Sequence, residues 1–386
     1  MIRETAVNLT RKLYRPLERT GQRSARKAAG HPRRMARQPA RYPVLDNARF
    51  VLISLVVTGH LLEQLAEQGP VAAALYRWIY LFHMPAFVLI SGAVSKSTLT
   101  RRGATALVTC LLMPYLIFQT LYPAWDAWLF HAGDWSQGYL TPYWLLWYLP
   151  SLACWRLLLP LFARLKFALP LAVVMALAAG LAPWIGYPLS LSRTLVFFPL
   201  FLLGYSLGGK RLQQLGDSRN RKSIAFIVLI AAGIGAWILR DFNPEWLYAA
   251  AGYADLQVAP WPGVGIRFAL LTASGACALA VLALVPRGAA SSRLGRRSLT
   301  AYLMHGFLVR GLVAAGVFAW LARVLPEFAE LLACLFAGAL IAALLSTRIA
   351  DSLAAPLIRP LTWVRRLVHD APRAIRLRME EFKRLY

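Results

Sequence analysis

The chain of 386 residues is 58% hydrophobic, more than an ordinary soluble domain carries, and 43 Lys and Arg against 17 Asp and Glu give a formal charge of +26. Such a charge would suit nucleic acid, but the basic residues fall in alternate connections between apolar runs, which excludes that partner and points to membrane lipid. The four cysteines lie in four different apolar runs without a paired motif, so neither a disulfide framework nor a metal site is expected.

Residues 1–43 are rich in Arg and Lys and form a basic cytoplasmic arm, expected to be disordered near anionic lipid heads. A transit peptide is the rival reading of that composition. Apolar stretches of the ~20 residues that cross a bilayer then recur at 44–65, 74–95, 104–122, 143–163, 167–186, 190–209, 222–240, 264–285, 298–321 and 327–349. The expected fold is an all-α polytopic bundle of about ten transmembrane helices over residues 44–350. One set of connections holds Lys96, Arg101 and Arg102, then Arg164 and Lys166, then Lys210, Arg211 and Arg219, then Arg287, Arg293, Arg296 and Arg297. The alternate set holds Glu63, Glu67, Asp126, Asp134, Asp241, Glu245, Asp255, Glu327 and Glu330. The positive-inside rule puts the basic set and both termini in the cytoplasm. Residues 351–386 read as a basic amphipathic tail, with Leu361, Val364, Leu367 and Val368 interleaved with Arg365, Arg366, Arg373 and Arg376; a plainly solvated tail is the alternative.

Ionisable groups at membrane depth are costly, so each one inside a span is a candidate for function. In "RFVLISLVVTGH" Arg49 and His60 are eleven residues apart, which leaves them about 20° from one azimuth and about 16 Å apart along a helix. Arg49 alone also reads as a snorkelling anchor. Glu63, one turn beyond His60, is placed to orient the imidazole. His83, in "YLFHMPAFVLISG" on a span of opposite direction, comes within about a turn of the depth of His60. Pro85 beside it kinks the helix and frees the carbonyl of Leu81. A packing kink with a hydrogen-bonded His83 is the bland alternative. On the ninth span His305 lies in the inner third and Arg310 near the middle, where an arginine faces water or a counter-charge. These groups describe a polar chamber reached from the cytoplasm past Arg49 and from the far side past Glu63, Asp126, Asp134 and Arg193. The segment "LYPAWDAWLFHAGDWSQGYLTP" offers Trp, Tyr and Asp for stacking on a sugar, although interfacial aromatics have the same composition. Such a chamber serves an enzyme or a transporter, for example a flippase for a lipid-linked sugar or small anion.

Five segments, in order, carry a resemblance: "LDNARFVLISLVVTGH", "FHMPAFVLISGAVSK", "YWLLWYLPSL", "RTLVFFPLFLLGYSLG" and "SLTAYLMHGFL". Together they resemble acyltransferase family 3, the integral-membrane acyltransferases, and in particular its fucose 4-O-acetylase-like branch. The resemblance implies a multi-pass enzyme of the inner (cytoplasmic) membrane that takes an acyl group, commonly acetyl, from acyl-CoA. The acyl-CoA is a co-substrate, acetyl-CoA in the common case, and no cofactor is bound. The acceptor implied is a hydroxyl of a surface glycan, lipid-linked sugar or glycolipid. The family pattern maps onto Arg49 and His60 as the essential pair. Where many members carry Arg-x-x-Arg after the second span, this chain has adjacent Arg101 and Arg102. On this reading Arg49, with Arg101 and Arg102, faces the coenzyme A phosphates. His60 is the general base, oriented by Glu63, and His83 is a candidate donor to the oxyanion. Arg310, His305, Arg193, Trp147 and Tyr148 are the candidates for oxyanion, acceptor or cavity contacts. A covalent acyl-histidine stays open.

Overall fold

The computed structural model describes residues 42–365, apart from 68, 132–137 and 183, together with Val368. The basic arm up to Arg41, Asp134 and most of the tail beyond Arg365 lie outside the described residues. Eight helices are long and apolar enough to cross a bilayer, and the chain is an all-α polytopic membrane protein. In chain order they begin with α1 (Pro43–Leu62), α2 (Pro70–Ala93), α3 (Arg101–Phe130) and α4 (Trp144–Phe162). The short α5 (Ala168–Leu181) follows, then α6 (Pro188–Asp217), α7 (Arg219–Ile238) and α8 (Pro260–Leu284). The pair α9 (Ser298–Ala314) and α10 (Val317–Val324), bent by 60°, counts as one further broken span, and α11 (Glu327–Leu345) completes the set. Two short helices, α12 (Arg348–Ile358) and α13 (Pro360–Arg365), lie past it.

The expected ten crossings are therefore eight long helices, one broken span and one short helix among the described residues. Residues 167–186 do not make a full span. The α-helical part of α5, Ala168–Ala178, has 11 residues, about 16 Å of rise against a hydrocarbon core of ~30 Å. It ends where the carbonyl of Gly180 accepts from the Tyr253 amide, at 2.8 Å, and so is tied to the loop before α8.

Proline sets several of these boundaries. Pro43 and Pro70 sit in the first turns of α1 and α2, where a missing N–H costs nothing. Within α3, Pro114 follows a π-helical stretch at Val108–Leu112, the local widening that accommodates a ring without an amide donor. Between α2 and α6, glycines bring backbones together: a Cβ on Gly92 would collide with the Phe201 carbonyl, and one on Gly204 with that of Leu89. Burial is uneven, with 67% of the α1 window inside the protein but only 6% of α7, which exposes its apolar surface to lipid.

Contacts sort the helix ends into two groups. The Asn47 amide donates to the carbonyls of Pro286 and Gly288 at 2.6 and 2.8 Å, joining the start of α1 to the end of α8. Thr300, at the start of α9, donates to Asp351 at 2.7 Å. This end carries the basic connections. The opposite end holds His60 and Glu63, the start of α6, and the loop from Leu239 to Ala259, in which Arg267 of α8 grips the Ala251 carbonyl at 2.7 Å.

Asp351 also accepts from Arg359 at 2.5 Å. Burial alone would raise its carboxyl, but the Arg359 and Thr300 donors outweigh burial and hold it below the usual carboxylate range. A carboxyl depressed in the fold contributes stability above its unfolded value, and that contribution is lost as pH falls through the folded one. Asp351→Asn should therefore lower the unfolding temperature of detergent-solubilised protein at pH 7, with the difference from wild type shrinking below about pH 4.

Candidate active site

At the less basic end, α1, α2, α3, α4, α6 and α9 surround a cavity of about 700 Å³. Glycan- and cofactor-sized ligands occupy clefts on the order of 300–1,000 Å³. Its wall carries His60, Glu63, His83, Asp126, Arg193 and Arg310 among aromatic side chains.

His60 occupies the last turn of α1, and Glu63 is the residue that caps that helix. The His60 Nδ1 lies 3.2 Å from Glu63 Oε2. A carboxylate only accepts, so Nδ1 carries a proton, and in the neutral ring the lone pair is then on Nε2. The ring is held edge-on to Trp144 with centroids 4.5 Å apart and stacked on His305 at 5.4 Å. Trp144 has φ of 41°, a left-handed conformation that costs a bulky residue energy and persists where its surroundings over-determine it.

His83 lies on α2 and donates from Nδ1 to the Ile79 carbonyl at 2.8 Å. In that tautomer its Nε2 is an acceptor, so His83 offers no hydrogen bond to an oxyanion unless it is protonated. Tyr76, Tyr80 and His83 follow one another at i, i+4 and i+7 along one face of α2. All three line the cavity. The Tyr76 and Tyr248 hydroxyls meet at 2.5 Å. Burial pushes the Tyr248 hydroxyl up to about 12, which keeps it neutral.

Arg310 meets its counter-charge. Its Nε and Nη2 each donate to Asp126 at 2.8 Å, and Tyr143 donates to the same carboxylate. Asp126 is 1% exposed. An apolar run that ends at 122 leaves it beyond the span, but α3 continues through Pro123 to Phe130, so the acid is inside a helix. Arg193 differs. Its Nε donates to the Tyr248 carbonyl at 3.1 Å, and its guanidinium lies 5.3 Å from the Trp147 ring and 5.2 Å from that of Tyr187.

Several sequence-derived candidates lie elsewhere. Arg49 is on the same helix as His60, but it pairs with Asp46 at 2.9 Å near the basic end and does not line the cavity. Arg101 and Arg102 are exposed at the start of α3. Tyr148 does not line the cavity; its hydroxyl is 2.7 Å from that of Ser91. His305 lies against the His60 ring, fully buried, with Nδ1 donating to the Ala301 carbonyl at 2.9 Å and Nε2 without a partner among the described residues. Tyr76, Tyr80, Tyr143, Trp144, Tyr187 and Tyr248 also line the cavity, without being among the sequence-derived candidates; the α2 pair has a legible signal in its spacing from His83.

A family profile described as an acyltransferase domain matches residues 42–347. The chain belongs to that acyltransferase family. The chain is also similar to the nodulation protein NolL of Mesorhizobium japonicum, with 31% identity over 202 residues, covering 48% of this chain and 52% of that protein. To NolL of Sinorhizobium fredii strain NGR234 it is 30% identical over 195 residues, covering 46% of this chain and 52% of the relative. The chain thus spans about half the length of the curated relatives it matches. No solved structure matches it with significance. Chemically, the site joins an imidazole whose neutral form keeps its lone pair on Nε2, a carboxylate that fixes its tautomer, and aromatic walls. That set suits removal of a proton from a hydroxyl.

Proposed function

We propose that the protein is an O-acyltransferase of the inner (cytoplasmic) membrane that moves an acyl group, acetyl in the simplest case, from acyl-CoA to a hydroxyl of a glycan, lipid-linked sugar or glycolipid. The observation that carries this reading is the His60–Glu63 pair facing a cavity walled by tyrosine and tryptophan. The acceptor O–H gives its proton to His60 Nε2 as the oxygen attacks the thioester carbonyl. The C–S bond then breaks, and the imidazolium returns the proton to the leaving thiolate. Arg310 uses Nε and Nη2 on Asp126, which leaves Nη1 to donate to the oxyanion. Arg49 is assigned to the coenzyme A phosphates at the opposite end of α1, about 16 Å away, a span for the pantetheine arm to bridge.

Membranes containing the protein, given labelled acetyl-CoA and a surface-glycan extract, should transfer label to the glycan fraction as an ester released by mild alkali. Label absent from glycan, or held in an alkali-stable amide, would overturn the reading, and absence would turn attention to transport.

A further inference from the structure

Of the cations lining the cavity, Arg310 is matched by Asp126, and the other cavity carboxylate, Glu63, is engaged by His60. Arg193 has no carboxylate partner among the described residues. A guanidinium stays charged in a membrane protein and is expensive to keep there without an anion or water. Here Trp147 and Tyr187 flank its cation and the Tyr248 carbonyl takes only Nε, so both terminal nitrogens remain free for a two-pronged contact. The residue stands near the start of α6, whereas Lys210 and Arg211 lie toward its other end.

We infer that Arg193 is a subsite for an oxyanion carried by the acceptor, a sugar phosphate or a uronate carboxylate, bound beside the hydroxyl that His60 activates. The inference rests on the acyl-transfer reading and narrows its acceptor to an acidic saccharide. The planar fork matches either anion, and the flanking rings offer a stacking face to the sugar that bears it.

The test uses three alkyl glycosides of one sugar: neutral, phosphorylated and oxidised to the uronate. Wild type should show a kcat/KM for at least one anionic probe roughly tenfold to a hundredfold above that for the neutral one, the worth of a charged hydrogen bond. Arg193→Gln should collapse that ratio toward one, and Arg193→Lys should leave an intermediate ratio. The phosphate and uronate arms identify the anion. Arg193→Gln should leave the KM for acetyl-CoA unchanged; a KM that rises for acetyl-CoA but not for acetyl-pantetheine, which lacks the coenzyme's phosphates, would assign Arg193 to the donor and overturn the inference. An equal preference in wild type and Arg193→Gln would also overturn it, leaving Arg193 as a clamp on the Tyr248 carbonyl. Binding of the same probes to purified protein, followed as a shift in unfolding temperature, requires no acyl transfer. Tighter anion binding by wild type alone would keep the subsite even if no ester forms, and equal binding of all three would remove it.

Discussion

His60→Ala should reduce acyl transfer by about 10²–10⁴-fold, the usual contribution of a positioned general base, while the protein accumulates in membranes at the wild-type level. The structural cost is expected to be small, because the imidazole already borders a cavity of about 700 Å³ and its loss enlarges that space rather than opening a sealed void. Glu63 is a positioning residue, and its variants separate orientation from charge. Glu63→Gln keeps an oxygen that accepts from Nδ1–H, and the carboxylate side chain is 37% exposed, so solvent already screens its charge. The expected order of loss is His60→Ala first, Glu63→Ala well behind it, and Glu63→Gln least, within about tenfold of wild type. Initial rates of ester formation with labelled acetyl-CoA, normalised to protein in the membrane, measure all three. A His60→Ala rate within a few-fold of wild type would remove the imidazole from the chemistry. Equal losses in Glu63→Gln and His60→Ala would mean that the carboxylate does more than orient the ring.

The depth of the site was legible because helical rise converts residue number directly into height. His60 near the end of α1 and His83 on the descending α2 were expected at one level, and both border the same cavity. Azimuth was legible too, but a shared azimuth is not a shared pocket. Arg49 found Asp46 three residues away, a local ion pair that hydropathy does not reveal, and it stays at the basic end. His305 shows the complementary failure: a span drawn from 298 to 321 puts it in the inner third, but the helix stops at Ala314, and the ring lies level with His60 and stacks on it at 5.4 Å. The short α5 was counted as a span because composition cannot distinguish a crossing helix from one that a loop stops early. The need for a partner to Arg310 followed from the cost of bare charge in lipid. Its identity did not, because a span drawn to stop at 122 put Asp126 outside the bundle.

That pairing should have an asymmetric energetic signature. Removing one partner of a buried ion pair costs about 3–5 kcal/mol, because a desolvated charge is left behind. The two sides differ here: Asp126 has a side chain 2% exposed and Arg310 one that is 33% exposed. In Asp126→Asn the orphaned guanidinium can turn to cavity water and keep its contact with the Phe130 ring, 4.4 Å away. In Arg310→Met the carboxylate, 2% exposed, keeps the Tyr143 hydroxyl as its one charge-stabilising donor among the described residues. Arg310→Met should therefore destabilise the protein by about 3 kcal/mol or more and Asp126→Asn by about half of that, read from denaturant unfolding of the protein in detergent. The double variant should be more stable than the sum of the single losses, by a coupling energy of roughly 1–3 kcal/mol. Equal single losses that simply add would mean that the two groups do not depend on each other, and the acid pole of the cavity would have to be held by Tyr143 instead.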